Sequence, residues 1–197
     1  MQTNTTKDHI IDAADRLFYE QGFEQTSFAD IATAVGIARG NFYYHFKTKD
    51  EILDAVIEKR LMDRREMLDL WDADGATPEA RIRSFIRILI VNQSKIMLYG
   101  CPIGTLSTEL AKLNHPAQGQ ATALFALFRD WLKRQFALMG RTADADILAM
   151  QLLSRSQGVA TMATAFRDKA FVEREVVEME HWLTALSIPK HPAFPKH

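Results

Sequence analysis

The chain has 197 residues, of which 47% are hydrophobic and 25% are charged, a composition that supports a sizeable core and is not typical of a disordered protein. Its formal net charge of −1 argues against indiscriminate binding to nucleic acid. No run reaches the roughly 18 apolar residues of a spanning helix, so no membrane span is expected, and a single cysteine excludes an internal disulfide.

The N-terminal part of the chain has helical periodicity interrupted by two turns. A first helix is predicted over residues 6–21. Its apolar face consists of Ile10, Ala13, Ala14, Leu17 and Phe18. A second helix is predicted over residues 27–35, because Ser27 and Asp30 have the spacing of a capping box, and a third is predicted over residues 38–44.

The remaining helices are separated by loops that contain Gly and Pro. The predicted ranges and starts are 48–70, Pro78, Pro102, 117–138, 143–167 and 170–186. The fold class is therefore all-α, with about nine helices. We assign residues 4–64 to an N-terminal three-helix domain and residues 65–188 to a larger helical domain. The Pro-rich tail at 189–197 is expected to be mobile.

Residues 36–49 differ in charge from their surroundings. Residues 1–50 contain five basic and seven acidic residues, but within 36–49 there is no acid. The bases there are Arg39, Lys47 and Lys49. Phe42 and Phe46 are four positions apart, which predicts that both face the core. Two short helices joined by a tight turn, the second rich in groups that reach phosphates and bases, are typical of a helix-turn-helix.

Residues 6–53 resemble the DNA-binding domain of the TetR-type (TetR/AcrR) repressor family. The family pattern is Thr-Ser/Thr-x-x-Asp-Ile-Ala, then Gly-Val/Ile, then Gly-x-x-Tyr-x-His-Phe-x-x-Lys. The matching residues are Thr26, Ser27, Asp30, Ile31, Ala32, Gly36, Ile37, Gly40, Tyr43, His45, Phe46 and Lys49. The resemblance implies a helix-turn-helix domain followed by a ligand-binding and dimerisation domain, in a protein that binds a double-stranded DNA operator.

The candidate DNA contacts lie on the third helix, just after it, and at the start of the second helix. Arg39 and Asn41 are the candidate base readers, since Arg pairs with guanine and Asn with adenine in the major groove. The expected phosphate contacts are Thr26, Ser27, Tyr43, Tyr44, His45, Lys47 and Lys49. Gly40 lets the backbone approach the duplex. Ala38 stands where the family usually has Ser, Thr or Pro, so one phosphate anchor is expected to be missing, and its methyl group is suited to a thymine methyl.

The second lobe has no motif for catalysis or metal binding. It lacks a Gly-rich phosphate loop, a His-Glu-x-x-His sequence and a cysteine pair, so we expect no enzyme and no cofactor. The resemblance instead implies a pocket for an unknown small-molecule inducer, lined by some of the many large apolar side chains. The candidate pocket residues are Tyr99, Cys101, Thr105, Phe128, Trp131 and Gln157.

A stripe of small residues recurs along the penultimate helix. It consists of Ser154, Gly158, Thr161 and Ala165. Such a stripe lets another helix approach closely, either in a second copy of the chain or in the chain's own last helix. A helix-turn-helix repressor needs two recognition helices for a palindromic site, which favours a homodimer interface.

Cys101 lies between Gly100 and Pro102, at the predicted start of a helix. The helix dipole favours a thiolate there, which is the form that reacts with oxidants and electrophiles. The segment also resembles a subgroup of TetR-type repressors with a Gly-Cys near this helix start. The alternative is that Cys101 is a small buried hydrophobic residue.

The sequence thus predicts a cytoplasmic, homodimeric, sequence-specific DNA-binding regulator, released from a palindromic operator by a small apolar or electrophilic inducer. The cytoplasmic location follows from an N-terminus without the features of a secretory signal and from the single cysteine. The alternative is an all-helical small-molecule-binding protein without operator function. An activator also remains open, and neither the inducer nor the operator is readable from the sequence.

Overall fold

The computed structural model describes residues 5–187, with the exception of the Arg39 side chain. Within this range the chain forms ten α-helices and no β-strand, which confirms the all-α prediction. The helices are α1 Thr6–Glu20, α2 Phe28–Val35, α3 Arg39–His45, α4 Lys49–Asp74, α5 Pro78–Val91, α6 Gln93–Tyr99, α7 Pro102–Lys112, α8 Gln118–Leu138, α9 Ala145–Phe166 and α10 Lys169–Ser187. The described residues contain one helix more than the nine or so expected, because Asn92 separates α5 from α6. The predicted tail at 189–197 lies outside the described residues.

Local capping groups determine where the first helices begin and end. The Ser27 side chain accepts a hydrogen bond from the Asp30 N–H, and the Asp30 carboxylate accepts one from the Ser27 N–H, so the predicted capping box is confirmed. Gly36 ends α2 with a φ of 74°, a left-handed conformation that costs glycine little. The chain then turns into α3, whose N-cap residue Ala38 makes no side-chain capping bond.

The described residues divide into two compact units. The N-terminal unit contains the residues up to Asp69 together with Leu98–Phe128. Its core joins the first four helices to Leu106 and Leu110 of α7, which are 3% and 0% exposed. The five residues predicted for the buried face of α1 are all buried. The domain boundary predicted between residues 64 and 65 stays a prediction.

The C-terminal unit contains Leu70–Met97 and the described residues from Arg129 onward. In it, α5 packs along α10 and α9 contacts both. Ile86 of α5 and Leu183 of α10 are completely buried, and Arg83 and Arg87 of α5 both pair with Glu180 of α10. Across residues 5–187, no helix is long and apolar enough to cross a membrane.

Candidate nucleic-acid interface

The third helix has one buried face and one exposed face. Phe42 and Phe46 are 1% and 4% exposed, which confirms their predicted place in the core. Asn41 is exposed, and Tyr44 is 80% exposed. A Cβ atom added to Gly40 would meet no atom within 4 Å, so that position is open to solvent. The exposed face of α3 therefore presents an amide, a phenol and bare backbone.

Aromatic contacts fix how α3 lies on α2. The Phe28 ring of α2 is 5.1 Å from the Phe42 ring, in an edge-to-face arrangement, and 5.6 Å from the Tyr43 ring. Because the Phe42 ring is held from this side, α3 cannot rotate about its axis without breaking this packing. The rotation that buries Phe42 is also the one that exposes Asn41.

The start of α2 lies beside the turn from α1. Ser27 is exposed, and hydrogen bonds from Ser27 hold the pKa of Asp30 below its usual range, so the capping carboxylate stays ionised at neutral pH. Thr26 is 1% exposed, and its hydroxyl donates to the Gly22 carbonyl at 2.7 Å. The Thr26 side chain therefore closes the turn instead of facing solvent, whereas Ser27 has an accessible side chain.

The cations after α3 are partly engaged within the chain. The Lys47 ammonium donates to the Tyr43 carbonyl, and the Lys47 N–H donates to the Glu51 carboxylate at 2.7 Å. The Lys49 ammonium donates to the carbonyls of Phe23 and Glu24 at 2.9 and 3.1 Å. An ammonium has three N–H groups, so these bonds do not exclude a phosphate contact. His45 is partly exposed on the last turn of α3.

Two polar groups that tie α7 to the N-terminal helices have no counterpart in the sequence-based predictions. Arg60 of α4 is 5% exposed, donates to the Asp15 carboxylate at 2.5 Å and donates to the Pro102 carbonyl at 2.7 Å. Glu109 of α7 accepts hydrogen bonds from two backbone N–H groups of the α1–α2 turn. No local signal identifies these residues, because their partners lie 42 to 86 residues away along the chain.

The predicted pocket residues are divided between the two units. Four of them, Tyr99, Cys101, Thr105 and Phe128, belong to the N-terminal unit, and Trp131 and Gln157 belong to the C-terminal unit. Tyr99 packs its ring 5.5 Å from that of Tyr19, and the Thr105 hydroxyl donates to the Cys101 carbonyl at 2.8 Å. Phe128 is 4% exposed. The assignment of these six residues to one pocket stays a prediction.

Trp131 and its surroundings form a polar cluster in the C-terminal unit. The indole N–H of Trp131 donates to Asp72 at 3.1 Å, and the buried Gln135 amide donates to the same carboxylate oxygen at 2.8 Å. Arg134 pairs with the other oxygen at 2.7 Å. The polar edge of Trp131 is therefore already satisfied by Asp72, and the residue is 3% exposed, with its ring 5.7 Å from that of Trp71.

Cys101 is the N-cap residue of α7 and is partly exposed. The Tyr19 hydroxyl donates to the Gly100 carbonyl at 2.7 Å, immediately before it. Burial, and then the neighbouring Cys101, raise the pKa of Tyr19 to about 12, so its hydroxyl remains a donor at neutral pH. The predicted helix-start position of the thiol is confirmed, and its reactivity stays a prediction.

The small-residue stripe faces away from the rest of the described chain. All four of its residues, Ser154, Gly158, Thr161 and Ala165, are exposed. The hydroxyls of Ser154 and Thr161 donate to carbonyls of α9 itself, at 3.0 and 2.9 Å. Large apolar side chains of the same helix are exposed as well: Ile147 at 61%, Met150 at 43%, Met162 at 40% and Phe166 at 74%.

The turn between α2 and α3, the capped start of α2 and the exposed face of α3 together define a helix-turn-helix, the class of fold element that places a helix in the major groove. Residues 10–56 match the model of the family described as bacterial regulatory proteins, tetR family. Residues 10–56 therefore form a DNA-binding domain of the TetR family, and the relatives found are named as transcriptional regulators or repressors.

Similarity to some individual relatives extends beyond the helix-turn-helix. An HTH-type transcriptional repressor, DhaR, from Mycobacterium sp. (strain GP1) is 24% identical over 80% of this chain and 82% of its own length. An uncharacterised HTH-type regulator from Lactococcus lactis is 29% identical over 61% of this chain, and the match spans 63% of that protein. The crystal structure of a TetR transcriptional regulator from Legionella pneumophila aligns with a TM-score of 0.80 at 25% identity, covering 94% of this chain and 98% of that one.

Proposed function

We propose that the protein is a homodimeric repressor that reads a palindromic operator with one α3 per protomer and is released by a small-molecule inducer. The observation that carries this proposal is the division of α3 into a face buried through Phe42 and a face that exposes Asn41 and Tyr44. The buried face holds a recognition helix in a fixed orientation, and the polar side chains of the exposed face can reach base edges. Residues 4–64 serve as the DNA-binding domain in this proposal.

Asn41 and Arg39 read bases, with the Ala38 methyl beside a thymine and Gly40 allowing close approach. The Arg39 side chain lies outside the described residues, so its role rests on the sequence alone. The phosphate contacts are Ser27, Tyr43, Tyr44, His45, Lys47 and Lys49, with the backbone N–H groups at the start of α2. Thr26 contributes through that backbone, because its hydroxyl is engaged with Gly22.

The dimer forms through the exposed stripe of α9. Small residues allow two helices to approach closely, and the two stripe hydroxyls already have partners within their own helix, so their burial leaves no donor unsatisfied. The exposed Met162 and Phe166 on the same helix supply apolar area at the interface. Such a dimer presents two α3 helices about 34 Å apart to a two-fold symmetric operator.

The inducer binds residues 65–188, which we assign to ligand binding and dimerisation. An apolar compound is suited to the candidate side chains Tyr99, Thr105, Phe128, Trp131 and Gln157, and an electrophile is suited to Cys101. The ligand must bind the non-DNA geometry more tightly, and a hundredfold induction requires about 2.7 kcal/mol of coupling. The protein acts in the cytoplasm and catalyses no reaction in this proposal.

The test is a titration of labelled duplex from the promoter beside the protein's own gene, with a scrambled duplex as control. We expect the promoter to bind at least about a thousandfold more tightly than the scrambled duplex, with steep salt dependence. Small apolar compounds and small electrophiles are then added to the complex. Equal affinity for both duplexes contradicts operator function and favours the alternative of a small-molecule-binding protein.

A further inference from the structure

In the turn between α1 and α2, two backbone N–H groups donate hydrogen bonds to the two oxygens of one carboxylate. The Phe23 N–H donates to Glu109 Oε2 and the Glu24 N–H donates to Glu109 Oε1, each at 2.9 Å. Two successive backbone N–H groups that converge on an anion form a nest. The preceding Gly22 has a φ of +98°, and a Cβ added there would lie 3.0 Å from Glu109 Oε1. Glycine at this position therefore admits the carboxylate as well as the left-handed backbone.

The backbone carbonyl groups of the same turn accept hydrogen bonds from the Lys49 side chain. The Lys49 ammonium donates to the carbonyls of Phe23 and Glu24 and lies 4.4 Å from the centroid of the Phe23 ring. That ring is 4% exposed and packs edge-on against His115 at 5.1 Å. The peptide unit that joins Phe23 to Glu24 is thus held from both sides, because its N–H donates to the Glu109 carboxylate and its carbonyl accepts from the Lys49 ammonium.

The turn that Glu109 and Lys49 contact leads directly into the start of α2. The Thr26 hydroxyl donates to the Gly22 carbonyl, which closes the turn one residue before the N-cap residue Ser27. Lys49 is the first residue of α4 and follows α3 after a short link. The contacts of Glu109 and Lys49 with this turn therefore hold the beginning of α2 close to the end of α3. These are the two ends of the helix-turn-helix.

We infer that Glu109 is a positioning residue for DNA recognition: from α7, outside the family-matched residues 10–56, it orients the helix-turn-helix without touching DNA. The inference rests on the proposed DNA-binding function and adds a determinant of affinity to it. Recognition depends on holding contacting groups to within about 0.5 Å, so a loosened turn at the start of α2 weakens binding. The contribution comes from pre-organisation of the free protein.

Whether replacement of Glu109 weakens or strengthens DNA binding distinguishes a positioning role from a purely electrostatic one. Removing a carboxylate makes the protein more positive, which by itself strengthens binding to DNA. Positioning predicts the opposite: Glu109→Ala weakens specific binding roughly tenfold, and Glu109→Gln, which keeps one acceptor oxygen, weakens it roughly threefold. The matched charge control is Glu66→Gln, which neutralises an exposed carboxylate on α4 and should bind as tightly as the parent or more tightly.

A second control removes a different bond between α1 and the start of α7. Tyr19→Phe deletes the hydrogen bond to the Gly100 carbonyl but leaves the turn intact. We expect it to lower the melting temperature without changing affinity for DNA. Hydrogen exchange of the free protein supplies an independent readout: in Glu109→Ala the amides of Asp30 and Ile31 should exchange faster, while those of mid-α1 keep their protection.

The experiment measures affinity for the specific duplex bound by the parent, corrected for the active fraction of each variant. The inference is supported if both Glu109 variants bind more weakly and both controls do not. It is overturned if the Glu109 variants bind like Glu66→Gln, or if Tyr19→Phe weakens binding equally. If Glu109→Ala does not fold, Glu109→Gln decides. A parent without sequence preference overturns the proposed function itself, an outcome visible before any variant is made.

Discussion

Gly158→Leu separates folding of the protomer from its dimerisation. A Cβ at Gly158 meets no atom within 4 Å outside its own helical turns, so leucine fits without displacing other parts of the described chain. Leucine also has a higher helix propensity than glycine, by about 0.8 kcal/mol. The protomer should therefore be as stable as the parent protomer, or slightly more stable.

The same substitution should weaken the dimer substantially. Overpacking at a close helix contact costs about 1–3 kcal/mol, and two-fold symmetry places the substitution at the interface twice. The combined cost of about 2–6 kcal/mol corresponds to a dimer dissociation constant raised roughly 30-fold to 25,000-fold. Operator affinity should fall in parallel, since a monomer offers a single recognition helix.

Sedimentation velocity over a range of protein concentrations measures this shift, and circular dichroism reports whether the helices remain. The matched control is Gly119→Leu on α8, where an added Cβ also meets nothing within 4 Å and the residue is not part of the stripe. A Gly158→Leu variant that is folded and dimerises like the parent refutes the assignment of this stripe to the interface.

Four further changes test the site. Asn41→Ala should weaken operator binding by about 1–3 kcal/mol and relax preference at one base pair per half-site, and an unchanged ranking of single-base operator variants argues against base reading. Lys49→Ala should weaken binding to random duplexes, weaken specific binding at least as much because the α1–α2 turn is also released, and reduce the slope of log affinity against log salt by about 0.9 for each phosphate that is no longer neutralised; an unchanged slope assigns Lys49 to the turn alone. Cys101→Ser should still bind operator but no longer respond to electrophiles, whereas a parent thiol that reacts only in denaturant indicates packing. Because the folded-state pKa of Tyr19 is raised to about 12, above its unfolded value near 10, stability should fall as the pH rises from about 10 to 12, and Tyr19→Phe should show a smaller fall in that window.

Local features of the fold were predictable because their causes lie within a few residues. The capping pair of Ser27 and Asp30 and the helix starts at Pro78 and Pro102 involve neighbours in sequence, and the structure has each of them. Thr48 and Glu51 have the same three-residue spacing, and there the Glu51 N–H donates to the Thr48 hydroxyl at 3.1 Å. The Glu51 carboxylate instead accepts from the Lys47 N–H.

Features that depend on distant partners were not predictable from one sequence. Glu109 reads as an ordinary acid on an amphipathic helix, and only the fold brings it to the α1–α2 turn, 85 and 86 residues away. The polar edge of the candidate pocket residue Trp131 is bonded to Asp72, 59 residues away. The chemical type of a side chain does not by itself determine which side chains face one cavity.

The measurement that tests the central claim most directly is selection of bound duplexes from a random-sequence pool by the parent protein, with Asn41→Ala selected in parallel. Sequence reading by α3 predicts enrichment of an inverted repeat whose half-site centres are about 10 base pairs or a multiple apart, and a weaker consensus at one position of each half-site for the variant. If the duplexes bound by the parent show no enriched sequence, and the amount of duplex bound depends only on salt, the result contradicts sequence reading by this helix.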